Sequence, residues 1–168
     1  TQTRDIALER FLTLARRLML EDAAGLSPLA TDAGAALPFY SALTRQCFIN
    51  EYVFALTADE IRQANDLRDS LAQALETEKR VPALWMVAAA AYFPLHAVAF
   101  GERLLDRQWS APVTAILTQQ IAEPQEEARL RANIAPLTVI ADPVSRRVRN
   151  QYEENPYPRW VRIPRAET

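Results

Sequence analysis

Glycine is scarce in this chain, and its scarcity limits the chemistry that the chain can carry. The 168 residues include three glycines, Gly25, Gly34 and Gly101, which do not form a cluster. None of them follows a strand-like apolar run. Turns that bind dinucleotides and related cofactors place several glycines between a strand and a helix, because the backbone must approach the ligand closely. The sequence therefore contains no recognisable turn of this kind.

Cysteine and histidine occur once each, so the chain lacks the groups of these residues that usually bind a metal or activate a nucleophile. A lone Cys47 excludes a disulfide within this chain, and we interpret it as a small buried hydrophobic residue. His96 lacks the partners of a zinc site, and we expect it to bond a backbone carbonyl. The sequence predicts no catalytic residue, no cofactor-binding residue and no metal ligand in this segment.

Long apolar runs and a strong charge bias are also missing. The longest apolar run, residues 81–93, contains Pro82 and is too short to span a bilayer. Charged residues interrupt the N-terminal segment, so no signal peptide is expected. The formal net charge of −2 gives no general attraction to nucleic acid or to anionic membranes. We therefore expect a cytoplasmic protein with neither nucleic acid nor membrane as a partner.

Helical periodicity dominates what is present. Prolines, capping residues and apolar spacing predict helices over residues 5–24, 38–56, 57–77, 82–105 with a break at Pro94, 110–121, from 124 onward, and 142–154. The third of these begins with a capping box, in which Thr57 and Glu60 cap each other. Residues 137–140 are a short strand candidate. We predict an all-α irregular bundle of about seven helices, with a proline-stiffened C-terminal tail.

Two of the predicted helices contain residues whose environment matters for function. In the first helix, an apolar stripe predicts the buried face, and Arg16 and Arg17 lie off this stripe. The stripe consists of Leu8, Leu12, Ala15, Leu18 and Met19. In the second helix, the polar run 50–52 interrupts apolar sequence. Three interpretations of that run stay open: a polar stripe on an amphipathic helix, a buried hydrogen-bonded cluster, or a group that faces a partner.

The segment from Arg149 to Trp160 is the most distinctive part of the chain. It reads RNQYEENPYPRW and places two tyrosines, a tryptophan and two arginines around two prolines. Proline fixes its own φ angle and disfavours helix at the preceding residue, so Asn155 and Tyr157 are expected to be extended. Such a stiff segment suits contact with a ligand or another domain. The alternative is a helix stop followed by a tail that packs on its own domain.

The same residues carry a resemblance to a protein family. The segment VRNQYEENPYPRW, preceded by IADPVSRR, resembles the region just before the catalytic domain in a group of bacterial proteins. Those proteins join tetratricopeptide repeats and a helical region to a class I S-adenosylmethionine-dependent methyltransferase. The segments LTRQCFINEYVFALT and AAYFPLHAV resemble the helical region of the same proteins. The resemblance thus covers most of the chain, although the tetratricopeptide signature itself is not visible.

The resemblance implies a division of the chain and a role for it. Residues 1–141 are expected to form the helical bundle domain, and residues 142–168 the final helix and a tail leading toward an absent methyltransferase domain. The implied role is non-catalytic: positioning the catalytic domain or its substrate, with S-adenosylmethionine bound elsewhere in the parent protein. The implied partners are that adjacent domain in cis and a protein substrate. The expected contact residues are Tyr152, Asn155, Tyr157, Arg159 and Trp160.

A free-standing helical protein-interaction module is the alternative hypothesis. It requires an exposed apolar groove between helices and a tail folded onto its own bundle. The sequence encoded downstream of Thr168 separates the two hypotheses, because a methyltransferase domain there must contain a glycine-rich strand–turn–helix.

Overall fold

The computed structural model describes residues 5–26, 34–134 and 142–154, and no β-strand occurs among them. Short 3₁₀ turns and one π-helical segment, Thr118–Ala122, connect the α-helices. The α-helices are α1 (Ile6–Ala24), α2 (Leu37–Ile49), α3 (Ala58–Glu76), α4 (Ala83–Ala90), α5 (Ala111–Leu117), α6 (Glu123–Ala132) and α7 (Pro143–Glu154). The predicted all-α class is confirmed. The strand candidate at 137–140 lies outside the described residues.

Contacts divide the chain into two compact units, residues 1–127 and residues 128–168. Helix α4 lies at the centre of the first unit, and every one of its residues is buried. Helices α1, α2 and α3 each pack against α4, and α5 packs against α2. The sequence of α4, ALWMVAAA, is apolar all round, as expected of a helix enclosed by neighbours. In the second unit, the described residues are the end of α6, the turn after it, and α7.

Side-chain caps fix the beginnings of three helices. At α1, the Asp5 carboxylate accepts hydrogen bonds from two backbone amides, at 2.8 and 3.2 Å. At α3, the Glu60 amide donates to the Thr57 hydroxyl at 3.2 Å, and the Thr57 amide donates to the Glu60 carboxylate at 3.5 Å. At α7, Asp142 accepts from the Ser145 amide at 2.7 Å, and this bond lowers the pKa of Asp142. The capping box predicted at Thr57 is therefore present.

The end of α2 differs from the prediction, which extended this helix to Leu56. Helix α2 ends at Ile49, because Glu51 and Tyr52 adopt left-handed backbone conformations, with φ of 54° and 60°. The Tyr52 amide then donates to the Cys47 carbonyl at 2.9 Å, which closes the helix in a Schellman motif. The polar run 50–52 consequently lies in a turn, not on a helix face.

The region after α4 also differs from the predicted helix over 82–105. Helix α4 ends at Ala90, and two 3₁₀ turns follow, at Leu95–Ala97 and Gly101–Leu104. Pro94 cannot continue a helix, and Phe100 has a left-handed φ of 60°. The two turns pack so closely that a β-carbon on Gly101 would lie 2.3 Å from the Leu95 carbonyl oxygen. Glycine is therefore required at this position.

The predicted separation of helices before Pro124 is wrong as well. The π-helical segment joins α5 to α6 without a break, and Pro124 lies in the first turn of α6. Proline is tolerated there at the cost of one backbone hydrogen bond. A π-bulge is one way in which a helix accommodates such a defect.

Candidate functional site

The described part of the last helix presents an apolar stripe to solvent. We call Val144, Val148 and Tyr152 the α7 stripe; they are 63%, 45% and 66% exposed. Residues four apart lie on the same side of a helix, so the three side chains form one continuous strip. By the same geometry, Arg147 and Arg149 lie on its two sides. An amphipathic helix gains stability by covering such a strip, so α7 has the form of a helix that docks on another surface.

The α7 stripe contains one of the predicted contact residues. Tyr152 lies at its C-terminal end. The other four lie outside the described residues: Asn155, Tyr157, Arg159 and Trp160. Val144 and Val148 were not among the predicted contact residues, although their spacing of four residues in the sequence indicates a shared helix face.

A second exposed apolar strip, the α1 stripe, lies on the first unit. It comprises Phe11, Leu14 and Leu18 of α1, which are 54%, 55% and 48% exposed, together with Phe39 of α2. The rings of Phe11 and Phe39 pack with centroids 6.2 Å apart. Leu8 is exposed as well, so the predicted placement of Leu8 and Leu18 on the buried face of α1 is wrong. The face of α1 that packs on the bundle consists of Ala15, Arg16, Met19, Leu20 and Ala23.

Arg16 is the unexpected member of that buried face, since its side chain is 1% exposed. Its guanidinium Nη2 lies 3.0 Å from the Glu60 carboxylate, which is 4% exposed, and also donates to the Ala55 carbonyl at 3.1 Å. The guanidinium carbon lies 4.6 Å from the centre of the Phe54 ring and 4.7 Å from that of Tyr92. Two aromatic faces and a carboxylate thus compensate the buried positive charge.

Tyr92 connects the two charges of this cluster. Its hydroxyl donates to the same Glu60 oxygen at 2.6 Å, while its ring covers Arg16. Burial, followed by the bond to Glu60, raises the pKa of Tyr92 well above its ordinary value. The tyrosine therefore stays neutral as a donor, and the cluster links α1, the turn before α3, and the end of α4. Its chemistry is that of a structural clamp.

His96 compensates for the defect that Pro124 introduces. Pro124 lacks the amide that would bond the Gln120 carbonyl in an α-helix. His96 Nδ1 lies 3.1 Å from that carbonyl oxygen and donates to it in the Nδ1–H tautomer. The fully buried Gln120 side chain accepts from the Leu95 amide at 3.2 Å and donates to the Ala90 carbonyl at 3.1 Å. The bond expected between His96 and a backbone carbonyl is present.

Cys47 is fully buried in the core of the first unit. Burial raises the pKa of its thiol to about 12, against an opposing influence of Arg16. A neutral, enclosed thiol is a poor nucleophile, which agrees with its interpretation as a small hydrophobic residue.

The raised pKa predicts a loss of stability in alkaline solution. The contribution of the neutral thiol to folding stability is complete below the ordinary thiol pKa of 9.0. It is lost as pH rises toward about 12, because in this range the unfolded chain releases the thiol proton and the folded chain keeps it. One such proton lowers the free energy of unfolding by about 1.4 kcal/mol per pH unit. Urea unfolding between about pH 8 and about pH 11 should show a shallower decline for Cys47→Ala than for the wild type. Identical pH slopes would contradict the assignment.

The sequence matches no protein-family model, and neither curated proteins nor solved structures gave a match. Among the described residues, no group of three histidine, cysteine, aspartate or glutamate side chains is placed to hold a metal ion. No helix in the described ranges has both the length and the apolar character needed to cross a membrane.

Proposed function

We propose that this chain is the non-catalytic helical domain of an S-adenosylmethionine-dependent methyltransferase, where it positions the catalytic domain or its substrate. The cofactor is held by the parent protein's own catalytic domain, and the partner in cis is that domain. The resemblance of the segment VRNQYEENPYPRW to the region before such domains supports the proposal.

The α7 stripe is the structural observation that carries this proposal. Val144, Val148 and Tyr152 leave an apolar strip in solvent on the last described helix, and Val148 and Tyr152 belong to the segment with the resemblance. Burying such a strip on a neighbouring domain contributes about 25 cal/mol for each Å² of apolar surface removed from water. Tyr152 adds a ring with little conformational freedom to lose, which suits a contact residue.

The flanking arginines indicate the character of the docking surface. Arg147 and Arg149 lie beside the stripe, and Arg146 lies elsewhere on the same helix. A receiving surface with an apolar centre and acidic margins complements this helix. Charged margins mainly set the orientation and the rate of docking, whereas the apolar centre supplies most of the affinity.

The interior of the first unit supports a positioning role. The clamp formed by Arg16, Glu60 and Tyr92 ties three parts of the chain together with short hydrogen bonds. Its members are enclosed by protein, and their arrangement is typical of a rigid frame. Rigid elements position a neighbouring site more accurately than loops do.

Val148→Asp should lower methyl transfer by the full-length protein without unfolding this domain. Because Val148 is 45% exposed, the substitution should change the free energy of unfolding of the isolated chain by less than about 0.5 kcal/mol. The new carboxylate must lose its water if the stripe docks, and misplaced catalytic groups can cost about a hundredfold in rate. We therefore expect kcat/KM to fall by about tenfold or more, measured with radiolabelled S-adenosylmethionine.

Asn150→Asp is the matched control, because it adds the same charge on the opposite side of α7. Asn150 already accepts a bond from Arg149 at 3.2 Å, and aspartate keeps that acceptor. We expect its kcat/KM to stay within about twofold of the wild type. Equal activities for the two variants would reject the stripe as a docking surface. A downstream sequence without a glycine-rich strand–turn–helix would reject the methyltransferase assignment itself.

A second candidate function is a helical module that binds another protein in trans. The α1 stripe favours it, since Phe11, Leu14, Leu18 and Phe39 form an exposed apolar patch on the first unit. Contiguous apolar patches on soluble proteins commonly mark interaction sites. This candidate predicts that Leu14→Asp, and not Val148→Asp, abolishes binding of the partner.

A further inference from the structure

A small cavity in the first unit has a cationic lining. It measures about 250 Å³ and lies where the connection between α3 and α4 meets the connection that leads into α5. Its polar lining comes from Arg80, Arg107, Gln108 and Ser110, and Trp109 lies beside them. The lining residues include two arginines and no acidic residue. The local charge therefore favours an anionic occupant.

Two of the lining side chains are held in place by hydrogen bonds to the backbone. Arg107 donates through Nη1 to the Lys79 carbonyl at 2.8 Å, and the guanidinium retains further N–H groups for a ligand. Trp109 donates its indole N–H to the Leu104 carbonyl at 2.9 Å. Each of these residues keeps its orientation without help from an occupant, so this part of the site is preformed.

Arg80 and Ser110, two further polar residues of the lining, have unused hydrogen-bonding capacity. Arg80 lines the cavity, and within the described ranges its side chain forms no ion pair and no hydrogen bond. Ser110 is the N-cap residue of α5, and its side chain makes no capping bond. An unpaired guanidinium and an uncommitted hydroxyl are donors that an oxyanion can accept from.

We propose that this cavity binds a small oxyanion, the phosphate or carboxylate group of a free ligand. Arginine presents N–H groups in a planar fork that matches the oxygen atoms of carboxylates and phosphates. Pockets for drug-sized ligands usually span about 300–1,000 Å³, so a cavity of 250 Å³ suits one compact group. The indole of Trp109 contacts the apolar part of the ligand next to that group. This site is independent of the α7 stripe.

Titration followed by NMR tests the site directly. Inorganic phosphate and acetate are added separately to ¹⁵N-labelled chain, and the indole N–H resonance of Trp109 is followed, assigned with Trp109→Phe. We expect this resonance to shift and saturate with one of the two anions, with a dissociation constant on the order of millimolar. Which anion saturates it identifies the group as phosphate or carboxylate.

Arg80→Gln and Arg45→Gln separate a specific site from general attraction. Both remove one positive charge from an exposed position, but Arg45 does not line the cavity. Arg80→Gln should weaken binding by about tenfold, because a charge-assisted hydrogen bond is lost, whereas Arg45→Gln should leave it within about twofold. The proposal is overturned if neither anion saturates the Trp109 shift, or if the two variants weaken it equally.

Discussion

Arg16→Ala should destabilise the chain by about 3–5 kcal/mol, because it leaves the Glu60 carboxylate buried and without its cation. Arg16 and Glu60 are 1% and 4% exposed, and their atoms lie 3.0 Å apart. The substitution also removes a donor from the Ala55 carbonyl and opens space between the rings of Phe54 and Tyr92. Urea unfolding followed by far-ultraviolet circular dichroism measures the loss.

The neighbouring Arg17→Ala is the control for this prediction. Arg17 pairs with Glu21 at 2.9 Å, but both side chains are exposed, so its removal should leave the free energy of unfolding nearly unchanged. In Arg16→Met combined with Glu60→Gln, no unpaired charge remains, and the glutamine keeps an acceptor for the Tyr92 hydroxyl and the capping box, so the loss should be much smaller than for Arg16→Ala. A loss below about 1 kcal/mol for Arg16→Ala would show that the clamp is not formed in solution.

Trp85→Ala should cost about 3–5 kcal/mol, since truncating a buried tryptophan removes a large apolar surface and leaves a cavity. Trp85 lies on the enclosed helix α4, with 9% of its surface exposed. Its indole N–H donates to the Ala23 carbonyl at 3.0 Å and thereby holds the end of α1 against α4. Thermal and urea unfolding should both show the loss.

Trp85→Phe separates packing from hydrogen bonding at this position. Phenylalanine keeps much of the ring volume and lacks the donor, while the Ala23 carbonyl retains the Leu26 amide as a partner at 3.1 Å. We expect a loss of about 1–2 kcal/mol for Trp85→Phe. Equal losses in the free energy of unfolding for Trp85→Phe and Trp85→Ala would mean that the hydrogen bond, and not the packing of the ring, accounts for the contribution of Trp85.

Local signals in the sequence were enough to predict the fold class and several helix starts. Thr57 and Glu60 form the predicted capping box, and α7 begins at the predicted cap, Asp142. These features depend on residues three apart in sequence, so their partners are visible in the sequence itself. Helix ends were harder to predict from the sequence. The left-handed turn at Glu51 and Tyr52 uses neither glycine nor proline, and the sequence therefore gives no ordinary stop signal.

The buried clamp shows why some important residues cannot be predicted from the sequence. Arg16 bonds Glu60, which is separated from it by 44 positions, and only the folded chain brings the two charges together. An arginine on a helix predicts solvent exposure in the absence of a visible partner. By contrast, the spacing of Val144, Val148 and Tyr152 is local and indicates an apolar stripe directly. Of the predicted contact residues, Tyr152 is placed on that stripe, and its role in docking stays a prediction.

Hydrogen exchange of the α7 amides is the most direct test of the proposed docking. In the isolated chain the apolar face of α7 lies in solvent, so the amides of residues 144–152 should exchange rapidly through local opening. In the full-length protein, a docked α7 should slow the exchange of the same amides by about tenfold or more, and Val148→Asp should abolish this protection. Equal exchange rates for residues 144–152 in the two proteins would contradict the claim that α7 positions a catalytic domain.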